Sequence, residues 1–202
     1  MSAQIYKVFD NHRIVFLCSN GIKPAFIPGM KEVTFTSQEN LYAELNTFYA
    51  NSSLPALVIT GSSADELFDV FSGFFLTVPA AGGVVQDKQG NTLFIKRLGY
   101  WDLPKGKCEK NEDLMATALR EVTEETGLKS LSIIRYLHPT YHTFRLEDRW
   151  VLKITHWYQM MNGKNELLVP QLKEGITEAV WISRDRLPQI VEQMYASLRD
   201  LF

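Results

Sequence analysis

Residues 106–128 read GKCEKNEDLMATALREVTEETGL, and this stretch decides the fold. At 100° per residue, its apolar side chains fall on one arc of a helix: Leu114, Met115, Ala118, Leu119 and Val122. Three glutamates stand at the edge of that stripe at i, i+3 and i+4: Glu121, Glu124 and Glu125. Like charges at this spacing each destabilise a helix by about 0.2 to 0.5 kcal/mol. We therefore predict that these carboxylates converge beside the core and bind a cation.

The cation expected at this place is Mg²⁺ or Mn²⁺. Hard divalent ions prefer carboxylate and water oxygens and often bind substrate phosphates as well. Cys and His residues at zinc spacing are absent from the sequence. The alternative is an ordinary solvated helix with a charged face, but the nearest lysines flank the helix and leave the acidic cluster without a cationic partner.

Other fixed residues of the segment fit a supporting role. Arg120 lies on the neighbouring helical face, where we expect it to pair with Glu124 or Glu112 and to orient a carboxylate. Gly106 and Gly127 bracket the helix, at positions that permit a close backbone approach or a positive φ.

The segment resembles the Nudix box, Gly-x5-Glu-x7-Arg-Glu-U-x-Glu-Glu-x-Gly-U with U aliphatic, and every position matches. The resemblance implies the α/β/α sandwich of that family, built around a mixed β-sheet, and hydrolysis of a nucleoside diphosphate linked to another group. It implies that the metal ligands are Glu121, Glu124, Glu125 and the Gly106 carbonyl, with structural roles for Glu112 and Gly127.

Length and composition are those of a globular chain. The 202 residues are 46% hydrophobic and 22% charged, enough for one domain or two small ones. Residues 1–76 carry four Lys/Arg against seven Asp/Glu, and the remainder carries seventeen against sixteen. Neither part has the basic footprint of a duplex-binding protein, so we expect no DNA partner.

The sequence also indicates a compartment. The N-terminus has no signal-peptide core, and no apolar run approaches the length that spans a bilayer. Two cysteines, Cys18 and Cys108, offer no disulfide framework. We therefore expect a cytoplasmic protein with no membrane partner.

Hydrophobic patterning predicts two units, a small α/β domain over residues 1–76 and a Nudix-type domain over residues 77–202. In the first, strands are predicted at 5–9, 13–18, 33–36 and 57–60, with helices at 41–49, capped by Ser37, and at 63–74. In the second, strands are predicted at 83–86, 93–97, 133–137, 141–144, 150–160 and 179–182. A C-terminal helix capped by Ser183 should follow and carry apolar residues from Leu187 to Leu198.

Three glutamates with a divalent ion have no redox partner and no covalent nucleophile. The reaction they suit is attack of water on a phosphorus atom of a polyphosphate chain. The proton acceptor stays open. Glu174, in the loop before the last strand, is either an extra ligand or base or a solvated loop residue, and His142 and His156 are expected to be structural.

Residues outside the box should select the substrate. The stretch from Trp101 to Gly106 resembles the dinucleoside polyphosphate and diphosphoinositol phosphate branches, where many relatives have a second glycine at the place of Lys105. We predict phosphate binding by Arg97, Lys105 and Lys153 and base stacking by Tyr141. Lys96 and Arg97 alternate along a strand, so at most one of them can face the pocket.

The leading hypothesis is therefore a hydrolase of a dinucleoside polyphosphate or a similar phosphorylated metabolite. One alternative is a pyrophosphohydrolase of ADP-ribose, of another nucleotide or of RNA 5′ ends. Another is a sensor that binds a nucleotide without cleaving it, although such a protein is expected to have lost box glutamates. The first unit offers no chemistry, so we expect it to be structural or to form an interface, such as that of a homodimer.

Overall fold

The structure is a computed structural model that describes residues 5–202. Its strands are β1 (Ile5–Asp10), β2 (Arg13–Ser19), β3 (Lys31–Thr34), β4 (Ala56–Gly61), β5 (Leu76–Gln86), β6 (Thr92–Arg97), β7 (Tyr100–Asp102), β8 (Lys105–Lys107), β9 (Leu131–Leu146), β10 (Arg149–Asn162) and β11 (Ile176–Ile182). Its α-helices are α1 (Gln38–Ala50), α2 (Ala64–Ser72), α3 (Leu114–Thr126) and α4 (Leu187–Glu192). Short 3-10 turns cover Leu172–Glu174 and Ala196–Leu201.

The chain divides into two compact units. The first ends at Thr77 and also includes Tyr141–Lys153, while the second comprises Val78–Thr140 and Ile154–Phe202. The continuous division predicted from the sequence, 1–76 and 77–202, did not assign the segment 141–153 to the first unit. The ends of β9 and β10 that meet at their turn therefore belong to the same compact unit as the N-terminal elements.

The first unit is a small mixed sheet with helices. β1 and β2 form the predicted antiparallel hairpin, while β4 runs parallel to both β2 and β3. One face of the sheet buries a cluster of apolar side chains that includes Ile14, Phe16, Cys18, Ala56 and Val58. The hydroxyls of Ser37 and Ser63 cap α1 and α2 as predicted, accepting from the N–H groups of Asn40 and Glu66.

The second unit has a sheet in the order β11-β6-β5-β10-β9 with a separate apolar core on each face. Neighbouring residues alternate between the two cores, as the period of a strand requires. Val85, Leu93 and Tyr158 pack with α3, whereas Val84, Phe94 and Trp157 pack with the C-terminal helix and turn. This arrangement confirms the predicted α/β/α sandwich around a mixed sheet.

Two details of the second unit differ from prediction. Residues 133–137 and 141–144 belong to one continuous strand, β9, which runs through Pro139 because the fixed φ of proline is compatible with extended backbone. The predicted Ser183 cap is wrong. The helix begins at Leu187, where Pro188 occupies the first turn, and it ends at Glu192, so Met194 lies between the helix and the 3-10 turn and Leu198 lies on that turn.

None of the helices within residues 5–202 combines the length and the hydropathy needed to cross a bilayer.

Candidate active site

The helix α3 brings the box glutamates to the sheet. It begins after Asp113, whose carboxylate accepts from the N–H groups of Met115 and Ala116, and it ends at Gly127 with φ +79°. The buried face of the helix consists of Thr117, Ala118, Glu121, Val122, Glu125 and Thr126. Two of the glutamates therefore lie within the buried stripe and not at its edge, and the prediction that Met115 belongs to the stripe is wrong, since that side chain is 53% exposed.

Arg120 is the centre of an ion-pair network. Its Nε and Nη2 donate to the two oxygens of Glu112 at 2.8 and 2.9 Å. Its Nη1 donates to Glu121 at 2.8 Å and reaches Glu124 at 3.3 Å. The hydrogen bonds from Arg120 lower the pKa of Glu112 to about 2, helped by the backbone N–H of Glu109.

This network corrects one step of the sequence argument. Lysines leave the glutamates without partners, but Arg120 neutralises part of their charge from within the same helix. Repulsion among the three carboxylates is therefore not by itself a reason to expect a cation. The environment of Glu125 gives a better reason.

Glu125 has no exposed surface, and only one of its oxygens has a hydrogen bond. Oε2 accepts from the backbone N–H of Lys105 at 2.9 Å, whereas Oε1 has no hydrogen-bond partner and lies 4.0 Å from Nη1 of Arg97. Burial raises the pKa of Glu125 to about 7, against the opposing effects of Lys105 and Arg97. A buried carboxylate oxygen with a spare lone pair is a natural place for a cation.

Glu121 faces the glycine that opens the box. Burial raises the pKa of Glu121, the Arg120 pair lowers it, and the nearby Glu124 and Glu174 raise it. A Cβ atom added at Gly106 would overlap the Glu121 carboxylate. A side chain at this position would therefore displace the Glu121 carboxylate from its present place, which gives a reason for glycine at the first fixed position of the box.

The carboxylates converge only in part. Glu121 and Glu125 are buried, whereas Glu124 is exposed, with 46% of its side-chain surface open to solvent. Within residues 5–202, no group of three or more His, Cys, Asp or Glu side chains is already arranged as a metal cluster. The donor set nevertheless fits a hard divalent ion, because it offers several carboxylates, the unpartnered Oε1 of Glu125 and the closely approaching Gly106 backbone.

Arg97 is the basic residue that faces the glutamates. Its Nη1 and Nη2 lie 4.0 Å from Glu125 and 3.7 Å from Glu174, both longer than a hydrogen bond. Its neighbour Lys96 points to the other side of β6 and pairs with Glu178 at 3.0 Å. The prediction that only one of the two could face the site is confirmed.

The other predicted substrate residues are placed differently. The side chain of Lys105 is only 14% exposed, and its ammonium pairs with Asp102 at 2.5 Å. Tyr141 belongs to the first unit, where its ring packs against Tyr6 and Phe68. Lys153 belongs to the same unit. Substrate binding by these three residues stays a prediction.

The two histidines have aromatic neighbours. His142 stacks on Phe144 in the first unit. In the second unit, Nδ1 of His156 lies 3.0 Å from the Tyr136 hydroxyl, and burial lowers the pKa of the His156 imidazole.

Sequence reasoning missed Asp102 and the Lys105 backbone. Asp102 is buried, and its carboxylate accepts hydrogen bonds from the Leu103 N–H and the Lys105 ammonium. The i, i+3 spacing of an acid and a base before the box was a signal for this pair, although the turn that closes it is visible only in three dimensions.

Comparison with known proteins agrees with this geometry. A family model described as the NUDIX domain matches residues 76–201, more than half of the chain. The mRNA-decapping enzyme subunit 2 of Arabidopsis thaliana is 27% identical over 129 residues, 61% of this chain and 32% of the relative. The putative mutator protein MutT4 of Mycobacterium tuberculosis is 36% identical over 102 residues, 50% of this chain and 37% of the relative.

The chain thus spans about a third of the length of these curated relatives. Among solved structures, a MutT protein from Methanosarcina mazei Go1 has a TM-score of 0.48 at 23% identity, over 62% of this chain and 90% of that one. Because the family model covers residues 76–201, with the complete box inside them, this chain belongs to the Nudix hydrolase family.

Proposed function

We propose that this protein hydrolyses a phosphoanhydride bond in a nucleoside diphosphate linked to another moiety, with a dinucleoside polyphosphate or a similar polyphosphorylated metabolite as its substrate. The observation that supports this most directly is the Glu125 carboxylate, which is fully buried with Oε1 unpartnered. Such an oxygen is costly unless a cation or a proton meets it, since an unsatisfied buried polar group costs about 1 to 3 kcal/mol.

We assign the metal site to Glu121, Glu124, Glu125 and the Gly106 carbonyl, with Mg²⁺ or Mn²⁺ as the ion. The bound ion would neutralise the non-bridging phosphate oxygens and lower the pKa of the attacking water. Glu125 is held in place by the Lys105 N–H, and Glu121 by Arg120. Glu124, the exposed member, can turn toward the ion with little cost because its side chain is not packed.

Two residues near the ligands complete the proposal. Arg97 would bind the phosphate chain, because neither of its carboxylate neighbours is within hydrogen-bond distance and a guanidinium matches phosphate geometry. Glu174, on the 3-10 turn beside Arg97, would act as an extra ligand or accept the proton of the attacking water.

RNA 5′ ends form the second candidate substrate class. The observation in its favour is the similarity of 61% of this chain to an mRNA-decapping enzyme subunit. The near-neutral charge of the chain argues mildly against a long RNA partner. A nucleotide sensor without catalysis is disfavoured because no box glutamate is missing.

A substrate panel tests the proposal. Dinucleoside polyphosphates, ADP-ribose, nucleoside diphosphates and triphosphates, and capped and triphosphorylated RNA are incubated with Mg²⁺ or Mn²⁺, and a phosphomonoesterase is added only after the reaction. We expect new phosphomonoesters from a substituted diphosphate and, in ¹⁸O-labelled water, one label per cleavage on a product phosphate.

The matched control is Glu178→Gln, which removes a charge from an exposed ion pair of the same unit. This variant should keep full activity, whereas Glu124→Gln combined with Glu125→Gln should lose most turnover while the fold survives. Unchanged activity in that double variant would refute the ligand assignment.

A further inference from the structure

The turn between β7 and β8 is closed by its own side chains. Oδ1 of Asp102 accepts from the Leu103 N–H at 2.7 Å, and Oδ2 accepts from the Lys105 ammonium at 2.5 Å. The same ammonium donates to the Leu103 carbonyl at 3.3 Å. Side-chain exposures of 5% for Asp102 and 14% for Lys105 show that this ion pair is shielded from solvent.

The backbone of this turn carries the groups that contact two box glutamates. The Lys105 N–H donates to Oε2 of Glu125 at 2.9 Å. The next residue, Gly106, passes so close to the Glu121 carboxylate that a Cβ atom would overlap it. A small shift of the turn would therefore move the donor that holds Glu125 and change the space open to the Glu121 carboxylate.

We propose that the Asp102–Lys105 ion pair positions the metal site through the backbone, and that Lys105 does not bind substrate through its ammonium. The inference rests on the proposed function, because it takes Glu121 and Glu125 as metal ligands. Asp102 and Lys105 are positioning residues in this account, since neither side chain has to touch substrate or metal.

Backbone hydrogen bonds and strand pairing around the turn should limit the effect of losing the ion pair. Gly82 and Ala81 of β5 pair with Lys105 and Gly106, and the Gly83 N–H donates to the Pro104 carbonyl at 3.1 Å. Loss of the ion pair should therefore loosen the turn without unfolding it. Partners that orient metal ligands typically change affinity by about 10 to 100-fold when removed.

The test is Mn²⁺ binding to the full chain without nucleotide, measured by electron paramagnetic resonance of the free ion. Asp102→Asn and Lys105→Met should each weaken Mn²⁺ binding by about 10 to 100-fold. The double variant should be no worse than the poorer single variant, because both changes remove one interaction and leave no buried charge unpaired. Lys105→Arg should recover part of the loss.

The matched control is Lys96→Met, which removes an ammonium from the exposed pair with Glu178 and should leave Mn²⁺ binding unchanged. Thermal melts show which variants are folded. If a single variant does not fold, the double variant and Lys105→Arg decide the result.

Two outcomes separate this inference from the proposed function. If the wild-type chain binds no Mn²⁺, the proposed metal site itself fails. If the wild-type chain binds Mn²⁺ and the folded Asp102 and Lys105 variants bind it equally well, only the positioning role is overturned. The same holds if Lys105→Met raises the nucleotide KM while Asp102→Asn has no effect, since that pattern identifies Lys105 as a substrate residue.

Discussion

The two ends of the acidic cluster of the box have opposite electrostatic environments. Around Arg120, carboxylates receive short hydrogen bonds from a guanidinium, and the pKa of Glu112 falls to about 2. One helical turn further on, Glu125 is buried with one oxygen unpartnered, and its pKa rises to about 7. We call the first region the Arg120 network (Glu112, Arg120, Glu121 and Glu124). The second, the Glu125 site, consists of Glu125 with the Lys105 N–H and Arg97 beside it.

The difference shows that acidic residues so close in sequence can serve separate purposes. The Arg120 network neutralises part of its own negative charge and ties the box loop to the helix through Glu112 and the Lys107 carbonyl. The Glu125 site keeps a desolvated carboxylate with only one of its two oxygens hydrogen-bonded, at a cost to stability that a bound cation would offset. Glu121 belongs to both regions, since it pairs with Arg120 and faces Gly106.

The largest expected effect is that of Glu125→Gln on turnover. The amide keeps the size of the side chain but cannot supply the negative charge that the ion requires. We expect kcat to fall by at least about 10² to 10³-fold, the range seen when one electrostatic contact to a reacting group is removed. Steady-state assays with a cleaved member of the substrate panel measure the fall. A variant within a factor of a few of the wild type would contradict the role of Glu125.

Gly106→Ala should have the next largest effect. The added methyl would overlap the Glu121 carboxylate, so β8 or Glu121 must shift. We expect Mn²⁺ affinity to fall by about 10 to 100-fold. The control is Gly163→Ala, where the new Cβ meets the Ser130 carbonyl at an ordinary 3.7 Å. Equal Mn²⁺ affinity in the two alanine variants would show that the close approach at Gly106 is not needed.

Metal binding should depend on pH because of Glu125. Because the pKa of Glu125 is about 7, a cation must displace a proton from this carboxyl below neutrality, so Mn²⁺ affinity should rise by about tenfold between pH 6 and pH 8. The folding stability of the metal-free protein should change with pH in the opposite direction. From about pH 4.5 to about pH 7 the folded chain holds a proton that the unfolded chain has released, so this contribution to stability falls as pH rises.

Glu125→Gln should remove both pH effects within this window. Titrations and chemical unfolding at pH 6 and pH 8 measure them. Unchanged pH profiles in the variant would assign the dependence to another group.

The smallest expected effect is the loss of folding stability when the Arg120 network is broken. Arg120→Ala leaves the buried Glu121 carboxylate without its 2.8 Å partner, which we expect to cost about 1 to 2 kcal/mol. For a chain of this length, that lowers Tm by about 2 to 8 °C. Calorimetry of the metal-free protein at pH 8 should show this loss, together with a gain in stability for Glu125→Gln. If both variants lost stability, or both gained it, the contrast between the two regions would be contradicted.

Much of this arrangement could be predicted from the sequence. The spacing of the box predicted α3, the roles of its bracketing glycines and a pairing of Arg120 with Glu124 or Glu112, and the structure has both pairs. Strand alternation predicted that Lys96 and Arg97 would face opposite ways. These features depend on helix and strand periodicity, which a linear sequence records directly.

Other features depend on packing between distant segments. The helical stripe was predicted one position away from its true place, because the depth of Glu121 and Glu125 is set by the sheet that α3 packs on. The Asp102–Lys105 ion pair needs a closed turn that no periodicity describes. The membership of residues 141–153 in the first unit likewise depends on pairing with β1, far away in the chain.

The interface role of the first unit, a homodimer and a cytoplasmic location stay predictions.

The central claim is that the buried Glu125 carboxylate supplies charge that binds the divalent ion, whereas the Glu112 carboxylate of the Arg120 network serves to pair with Arg120. Mn²⁺ titration of the wild type, Glu125→Gln and Glu112→Gln at pH 8 tests it most directly. We predict that the wild type binds the ion, that Glu125→Gln loses at least about tenfold in affinity, and that Glu112→Gln loses less. Equal losses in the two variants, or a greater loss in Glu112→Gln, would contradict the claim.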